Sequence, residues 1–507
     1  MELGPLTDAV AAGSSAAMAL VPRIWDQDHT VWGEDPTEIS DRLGWLDAPD
    51  RADAVADELH RAAEDVAKEG ITDVLLVGMG GSSLYPEVLA TTFGSRPGAP
   101  RLRVLDSTDP GAVLAVEEAL PWSSTLLVPA SKSGTTIEMA CHFERFLARL
   151  VDAHGDDAGR FVTPITDPGS ELDARAKAEG FRQVFHGQPD VGGRFSALTP
   201  FGLWPAALLG LDVSDHVASA RDELVAARSV DPQVNGPAML GAVMAAAAQE
   251  GRDKLTLVLP PEISSLGLWI EQLVAESTGK HGVGVVPVVD EDPGEVHLGD
   301  DRLVVVVGDE ARSAQVAAQG VPVVDLPWEG PAELAREVVR WEFATAVAGA
   351  LLGINPFDQP DVASAKAATS KVLSAGEDLP ATTTPDEVLK QVEPGDYLAL
   401  LAFVTPGSGD ERRVRAAADE LRRRHNVPVT VGIGPRYLHS TGQLHKGGPN
   451  RGVFLVTVGD DPTDAEVPGR DLSFSRLKRA QAAGDLAALY DAGRRVALIA
   501  LDDLPGS

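Results

Sequence analysis

Residues 125–138 read Thr-Leu-Leu-Val-Pro-Ala-Ser-Lys-Ser-Gly-Thr-Thr-Ile-Glu, and no other stretch says as much about the fold. Its apolar first part, Thr125–Pro129, is typical of a strand buried in a parallel sheet. Hydroxyl side chains and a lysine follow where a helix is expected to begin. The first N–H groups of a helix lack intrahelical partners, and the helix dipole favours an anion there. A plain helix N-cap would use the same residue types. The pattern nevertheless predicts a phosphate cradle formed by Ser131, Lys132, Ser133, Gly134, Thr135 and Thr136.

A second turn of this kind, Gly-Met-Gly-Gly-Ser-Ser, lies at residues 78–83 after the apolar run Thr72–Val77. It departs from the G-x-G-x-x-G pattern of dinucleotide sites, because Ser83 stands in place of the last glycine and no acidic residue is obviously placed for a ribose. A tight turn that needs glycine for a positive φ is an equally good explanation of this motif alone. Two neighbouring strand ends could instead grip one sugar phosphate, in which case Gly81 and Ser82 join the site.

Strand-like and helical runs alternate along the chain. This alternation predicts an α/β fold with doubly wound parallel sheets, whose ligands lie at the carboxyl ends of the strands. We divide the chain into an N-terminal helical segment 1–67, a first α/β domain 68–235, a second α/β domain 236–383 and a C-terminal α/β segment 384–507. Strands are predicted at 72–77, 102–105, 125–129 and 160–165 in the first domain, at 255–259, 284–289, 303–307 and 321–326 in the second, and at 397–404, 427–433, 453–458 and 496–501 in the last segment.

Composition narrows the classes of partner. The formal net charge is −33, from 43 Lys and Arg against 76 Asp and Glu, which argues against nucleic acid and against an anionic membrane as partners. The single cysteine, Cys141, excludes an internal disulfide and suits a reducing compartment. The apolar runs are too short to span a bilayer, and the first residues lack the basic start of a signal peptide. We therefore expect a cytoplasmic protein whose partner is a small molecule.

Five segments, taken in order, resemble the successive signatures of the phosphoglucose isomerase family. They cover roughly residues 70 to 370, and the agreement in order makes them more specific together than singly. The resemblance implies two sugar-isomerase (SIS) domains of flavodoxin-like type and a homodimer. It also implies interconversion of glucose 6-phosphate and fructose 6-phosphate without a metal or an organic cofactor. The segments are residues 78–84, 131–138, 192–196, 272–280 and 355–366.

The same resemblance implies a role for individual residues. Ser131, Ser133 and Thr136 would hold the phosphate, with Lys132 and Ser82 nearby. Glu276 would move the proton between C1 and C2 through a cis-enediol, which requires one carboxylate that can take and return a proton. Arg194 would stabilise the charge on the enediol oxygens, Gln272 and Gln359 would hold sugar hydroxyls, and Lys366 would help to open the ring. Without the resemblance, Glu276 is more simply a solvent-facing glutamate, and Arg194 and Lys366 are ordinary surface cations.

The position of the histidine departs from the family pattern. The family has a ring-opening histidine between the glutamate and lysine motifs, contributed by the neighbouring subunit. Here His297 is the one histidine in the sequence between residues 282 and 355, and it lacks the usual Gly-Gln-His context. Residues 438–448, Leu-His-Ser-Thr-Gly-Gln-Leu-His-Lys-Gly-Gly, are instead similar to a segment of actinobacterial and cyanobacterial isomerases, including those fused to transaldolase. Either His439 or His445 is the candidate for ring opening, and a glycine-rich loop with incidental histidines is the alternative.

Three other functions compete with isomerisation of glucose 6-phosphate. A non-catalytic SIS-domain sensor of sugar phosphates would usually carry a basic DNA-binding helix pair, whereas this chain is acidic. A hexosamine-phosphate synthase of the amidotransferase type would need a cysteine at its mature N-terminus, whereas Cys141 is internal. Additional activity on mannose 6-phosphate stays open, because the shape of the pocket around C2 decides it.

Overall fold

A computed structural model describes residues 1–289, 291–294, 296, 298–375 and 383–506, without the side chains of residues 363–366, 374 and 375. The chain begins with two long helices, α1 (Thr7–Trp25) and α2 (Ala48–Lys68). At the end of α1, the indole of Trp25 stacks on the ring of Phe343 with centroids 5.7 Å apart. The N-terminal helices therefore pack against a much later part of the chain. Within the described ranges, no helix combines the length and the apolar character that crossing a bilayer requires.

The first sheet is parallel and has the strand order β2-β1-β3. Single bridges from Leu127 to Val162 and from Ala130 to Ile165 extend it to the pair β4-β5. The resulting order 2-1-3-4-5 is that of flavodoxin-like folds, in which ligands bind beyond the carboxyl ends of β1 and β3. The elements are β1 (Asp73–Val77), α3 (Leu84–Phe93), β2 (Arg101–Leu105), α4 (Pro110–Ala119), β3 (Thr125–Pro129), α5 (Ile137–His154), β4 (Ile165–Thr166), α6 (Glu171–Glu179) and β5 (Phe185–His186).

One predicted strand of this sheet is largely wrong. Residues 160–165 were expected to be extended, but Gly155–Phe161 forms a 3-10 helix and β4 begins only at Ile165. Gly155 ends α5 with a φ of +57°, and the Gly-Asp-Asp-Ala-Gly composition that follows favours tight turns over a strand. The other predicted strands of this domain are confirmed to within one residue at each end.

The second sheet repeats the plan, with parallel strands in the order β7-β6-β8-β9. Its long helix α13 is almost entirely buried, because it packs against α10 and α11 as well as the N-terminal helices. The elements that connect and form this part are α7 (Pro200–Leu208), α8 (Val213–His216), α9 (Ala218–Ala227), α10 (Gly236–Gln249), β6 (Lys254–Val258), α11 (Leu266–Thr278), β7 (Val286–Val288), β8 (Arg302–Val307), α12 (Glu310–Ala317), β9 (Val323–Leu326), α13 (Leu334–Leu352) and α14 (Val362–Ala375).

The third sheet, again parallel, has the order β11-β10-β12-β13. Counted within its own segment this order is 2-1-3-4, which is the arrangement of the first four strands in each of the other two sheets. The predicted class, two doubly wound α/β units with a C-terminal α/β segment, is confirmed. The elements are α15 (Pro385–Leu389), β10 (Tyr397–Phe403), α16 (Gly409–His425), β11 (Val429–Ile433), α17 (Gly442–Gly447), β12 (Gly452–Val458), α18 (Phe474–Asp491) and β13 (Arg495–Leu498).

The third unit reaches the first through α18. The buried ammonium of Lys478 lies 2.9 Å from the carboxylate of Asp109, which caps the N-terminus of α4. Near the start of α18, the ring of Phe474 stacks on the imidazole of His142 in α5 at 5.3 Å. These contacts hold α18 beside the carboxyl ends of β2 and β3. The C-terminal segment therefore forms one side of the region where the first sheet is expected to bind its ligand.

Candidate active site

The turn between β3 and α5 has the form expected of an anion cradle. The Ser131 hydroxyl accepts the N–H of Gly134 at 3.1 Å and lies 3.0 Å from the Thr136 hydroxyl. The Ser133 hydroxyl accepts the N–H of Thr135 at 3.2 Å. Gly134 has a φ of +74°, and a Cβ there would come within 2.7 Å of the backbone nitrogen of Leu172. Glycine is therefore required at this position, and the turn gathers hydroxyls at the positive end of α5.

Lys132 is already paired in this structure. Its ammonium donates to the Asp167 carboxylate and to the Gln188 carbonyl, at 2.9 Å in each case. Burial lowers the pKa of Lys132, and the adjacent carboxylate opposes this effect. The side chain belongs to the same turn as the cradle hydroxyls, but its charge is directed to Asp167. Phosphate binding by Lys132 stays a prediction.

The glycine turn after β1 lets the loop that carries Arg194 come very close. A Cβ on Gly81 would lie 1.9 Å from the carbonyl oxygen of Gly193, so any larger residue would push the two loops apart. Ser82, next to it, is buried with 8% of its surface exposed. The turn therefore sets the position of Arg194 relative to the first sheet, in addition to any contact that Gly81 and Ser82 make with a ligand.

Arg194 and Glu276 form a charge pair on one side of the site. The guanidinium Nη1 is 3.3 Å from Oε1 of Glu276, and the arginine side chain is only 3% exposed. Four further hydrogen bonds hold the guanidinium of Arg194 in place, because this planar group carries several donors in a fixed arrangement. Its Nε donates to the Ser277 hydroxyl at 2.8 Å, Nη1 to the Gln359 side-chain oxygen at 2.9 Å, and Nη2 to the carbonyls of Pro356 and Asp358 at 2.6 and 2.9 Å.

Gln272 and Glu276 lie one turn apart on α11 and so share a face of the helix. The Gln272 amide nitrogen is 3.2 Å from Oε2 of Glu276 and donates to the carbonyl of His439 at 2.8 Å. With Arg194 against Oε1, both carboxylate oxygens have a nearby donor. The helix thus presents a fixed, partly exposed carboxylate next to a buried cation.

Lys280 also holds the loop that presents Gln359, and no role was predicted for it. Its ammonium donates to the carbonyls of Asn355 and Asp358 and to the Asp358 carboxylate, at 2.5 to 2.6 Å. Burial lowers the pKa of Lys280 to about 7. Because Arg194 also donates to the Asp358 carbonyl, the two cations together fix where Gln359 lies.

His439 lies against the cradle, in contact with a residue from the first domain of the same chain. Its Nε2 is 2.8 Å from Oε1 of Glu138, which stands in the first turn of α5. The Gln481 amide nitrogen donates to the same oxygen at 2.7 Å. These residues line a cavity of about 260 Å³ together with cradle residues, residues of α14 and residues of α18. The lining includes Ser133, Thr135, Thr136, Glu138, Thr369, Leu373, His439, Gln481 and Asp485.

The other histidine candidate, His445, is not among the described residues that line this cavity. His445 is 3% exposed and lies among the rings of Tyr397, Tyr437 and Phe454, whose centroids are 5.0 to 6.3 Å away. Burial holds the pKa of His445 well below its usual value. Lys366 belongs to α14, but its side chain lies outside the described part of the structure, as does His297. The structure therefore separates the two histidines of residues 438–448.

Sequence reasoning missed Glu138, Gln481 and Lys280 as site residues. Glu138 ends the cradle motif and reads as an ordinary acidic residue in the first turn of a helix. Gln481 sits in a segment with no recognisable motif, more than 300 residues away, so only the packing of α18 reveals it. For Lys280, its place at the end of the motif at residues 272–280 was a signal.

Comparisons with known proteins show which family this chain resembles. Residues 55–303 match the family model described as phosphoglucose isomerase. A probable glucose-6-phosphate isomerase of Natronomonas pharaonis is 30% identical over 402 residues, which are 69% of this chain and 90% of the relative. The glucose-6-phosphate isomerase of Rubrobacter xylanophilus is 29% identical over 391 residues, 66% of this chain and 89% of the relative.

Two solved structures share the fold. A hypothetical protein of Thermus thermophilus superposes with a TM-score of 0.64 at 25% identity, covering 73% of this chain and 97% of that one. A glucose-6-phosphate isomerase of Chlamydia trachomatis superposes with a TM-score of 0.62 at 18% identity, covering 74% of this chain and 87% of that one. Both therefore match most of the chain, although neither matches all of it.

Proposed function

The chain belongs to the phosphoglucose isomerase family, and we propose on this basis that it interconverts glucose 6-phosphate and fructose 6-phosphate. The observation that carries the proposal is the Glu276 carboxylate fixed 3.3 Å from the Arg194 guanidinium, in a chain that also has a hydroxyl cradle at the start of α5. A base beside a buried cation suits a reaction in which a proton leaves carbon while negative charge develops on the adjacent oxygens.

The first step is opening of the sugar ring. The ring oxygen must receive a proton while the anomeric hydroxyl loses one. His439 is the residue that we assign to this step, because it borders the cavity and its Nε2 is 2.8 Å from the Glu138 carboxylate. A carboxylate on one ring nitrogen holds the tautomer, so the other nitrogen is the one that can exchange a proton with the substrate. Lys366, on α14, is proposed to act in the same step.

The second step is transfer of a proton between C2 and C1. Glu276 takes the proton from C2 of the open-chain aldose, and O1 gains a proton, which gives the cis-enediol; O2 then loses its proton and Glu276 returns a proton to C1, which gives the ketose. The charge that grows on the enediol oxygens is stabilised by Arg194, whose fork is held in place before the reaction begins. Gln272 and Gln359 hold the sugar hydroxyls and so orient C1 and C2 toward the carboxylate.

The phosphate is proposed to bind at Ser131, Ser133, Thr135 and Thr136, with Gly81, Ser82 and Lys132 nearby. The backbone N–H groups at the start of α5 add to these hydroxyls. This local site must attract an anion against a formal net charge of −33, so the phosphate contacts matter for affinity. The steps move only protons, and the proposal therefore needs neither a metal ion nor an organic cofactor. We further propose a cytoplasmic homodimer, as the family resemblance implies.

A coupled assay tests the function directly. Fructose 6-phosphate is converted in the presence of a chelator, and the glucose 6-phosphate formed is oxidised by a dehydrogenase. We expect turnover that saturates with substrate and is unaffected by the chelator. Sugar-phosphate binding without turnover would instead identify a sensor. The same assay with mannose 6-phosphate as substrate shows whether the pocket accepts the C2 epimer.

A further inference from the structure

Helix α18 presents three polar side chains along one face, and the first two of them contact the first domain. Lys478, Gln481 and Asp485 follow one another at intervals of three and four residues, so they share that face. Lys478 pairs with Asp109, and Asp485 pairs with Lys446 at 2.7 Å. Gln481, between them, is 2% exposed and borders the cavity that also contains His439. Its neighbours on the helix are thus engaged in ion pairs, whereas Gln481 is engaged with the candidate site.

Both ends of the Gln481 amide have a hydrogen-bond partner of the right kind. Its nitrogen donates to Oε1 of Glu138 at 2.7 Å, and its oxygen accepts the hydroxyl of Thr108 at 2.7 Å. A carboxylate can only accept, whereas a hydroxyl can donate, so this orientation of the amide is the one that satisfies both neighbours. The amide is therefore locked in place by a residue that follows β2 on one side and by α5 on the other.

We propose that Gln481 is a positioning residue for ring opening, which it supports by holding the Glu138 carboxylate against His439. Oε1 of Glu138 takes the Gln481 donor and the His439 nitrogen together, at 2.7 and 2.8 Å. With the amide in place, the carboxylate is fixed in the rotamer that meets the imidazole. This inference rests on the proposed function, to which it adds a role for the C-terminal segment.

The proposal explains why a catalytic site of the first two units needs a third. Thr108 belongs to the loop that follows β2, Glu138 to α5, Gln481 to α18 and His439 to the loop before α17. The last two come from the C-terminal segment and meet at one carboxylate of the first domain. The segment would thus supply both the histidine and the residue that orients the histidine's partner.

Replacement by an isosteric apolar residue tests this role. Gln481→Leu keeps most of the volume and removes both hydrogen bonds. We expect kcat with cyclic glucose 6-phosphate to fall about 10-fold or more, a part of the usual general acid–base contribution, with KM little changed. The 4,5-dideoxy analogue of glucose 6-phosphate cannot close to a ring, and its C1–C2 exchange should stay within about twofold of the wild type. Leu486→Ala, a cavity-forming change in the same helix, is the control for general destabilisation.

A second variant adds a reversible readout. Gln481→Glu in its neutral form can still donate to Glu138 and accept from Thr108, whereas in its ionised form it places two carboxylates in contact. Two carboxylates that share a site raise the pKa of one of them strongly. We therefore expect ring opening close to that of the wild type at about pH 5.5 and lost by about pH 8. The charged and titratable groups around this position are Glu138, His142, His439, Asp106, Asp109, Lys446, Lys478 and Asp485.

The outcomes separate the inference from the proposed function. If Gln481→Leu slows the cyclic and the open-chain substrates by the same factor, as Leu486→Ala would through loss of stability, Gln481 only packs and the inference is overturned. A Gln481→Glu variant that is equally slow at both pH values overturns it as well. A wild-type protein that converts neither substrate would overturn the proposed function together with the inference.

Discussion

Glu276 and Arg194 interact directly, because 3.3 Å separates Oε1 from Nη1 and most of the arginine is buried. The Gln272 amide supports the other carboxylate oxygen at 3.2 Å. A glutamine at position 276 could keep the contact with the cation, since its oxygen accepts from Arg194. The chemistry of the carboxylate can therefore be removed without removing its place in the site.

Glu276→Gln is expected to lower kcat by about 10²-fold or more, because the variant has no basic oxygen to take the C2 proton. KM for fructose 6-phosphate should change little, since the phosphate contacts remain. Steady-state kinetics in the coupled assay measures both constants. Near-normal turnover would show that another group is the base.

Removing the cradle hydroxyls should affect KM, whereas removing the Glu276 carboxylate should affect kcat. Ser131→Ala combined with Thr136→Ala removes two hydroxyls that lie 3.0 Å apart at the start of α5. Phosphate contacts are made in the ground state and the transition state alike, so KM should rise about 10-fold while kcat is nearly kept. Inorganic phosphate should also inhibit the double variant less than the wild type. An unchanged KM would place the phosphate elsewhere.

The two histidines of residues 438–448 provide a matched pair. His439→Ala should slow conversion of cyclic glucose 6-phosphate by about 10²-fold and leave exchange on the open-chain analogue nearly intact. His445→Phe should keep activity on both, because His445 lies among aromatic rings away from the cavity. The same two assays measure both variants. Full activity of His439→Ala on the cyclic sugar would remove this loop from the mechanism.

At the scale of elements, the apolar runs predicted the sheets well. The runs at residues 125–129 and 303–307, for example, are buried along their whole length, so composition and burial agree. The prediction was wrong at residues 160–165, where local turn chemistry outweighed a short apolar run. The proposed role of Gln481 could not be predicted from the sequence, because it depends on how α18 packs against the first domain. No local sequence pattern indicates that packing.

The buried His142, at the contact between α5 and α18, predicts how the free energy of unfolding changes at acid pH. His142 is fully buried, donates from Nε2 to the Ser107 carbonyl at 2.9 Å and stacks on Phe474. Burial lowers the pKa of His142 to about 4 from its usual value of 6.5. Between pH 6.5 and pH 4, His142 is therefore protonated in the unfolded chain but neutral in the folded chain. Stability should fall as pH drops from 6.5 to 4, by about 3 kcal/mol from this residue.

His142→Gln isolates this contribution, since glutamine can still donate to Ser107 but does not titrate. The variant is expected to be less stable than the wild type at neutral pH, because the stacking on Phe474 is lost. The difference between the two proteins should shrink on acidification. Urea unfolding at several pH values measures it. Parallel stability curves would mean that the pKa of His142 is the same in the folded and the unfolded chain, which contradicts the prediction.

At the scale of the whole molecule, each of the three parallel sheets belongs to a unit that contributes residues to the candidate site. The first provides the cradle and Glu138, the second provides Glu276 on α11, and the third provides His439 and α18. Sequence motifs in the family's order predicted the cradle and Glu276, whereas the role of Glu138 was missed. The place of the third could not be predicted, since the histidine segment comes after the lysine motif and its position depends on packing between units.

This arrangement changes the expectation for mixed oligomers. From the sequence, the ring-opening histidine was expected to come from a neighbouring subunit, so that a histidine variant and a Glu276 variant would restore one another. In the structure, His439 reaches Glu138 and Gln272 of its own chain, at 2.8 Å in each case. Under the proposed mechanism, His439 and Glu276 of one chain then serve the same site, so a second chain does not restore a site in which one of the two groups is defective.

Mixing His439→Ala with Glu276→Gln under conditions that exchange subunits should therefore give no more activity on cyclic glucose 6-phosphate than the two variants give separately. Every chain in the mixture lacks either the ring-opening group or the base. Mixing each variant with wild-type protein is the control, and it should give activity in proportion to the wild-type chains present. Recovery of a sizeable fraction of wild-type activity in the mixture of variants would mean that His439 serves the site of a second subunit.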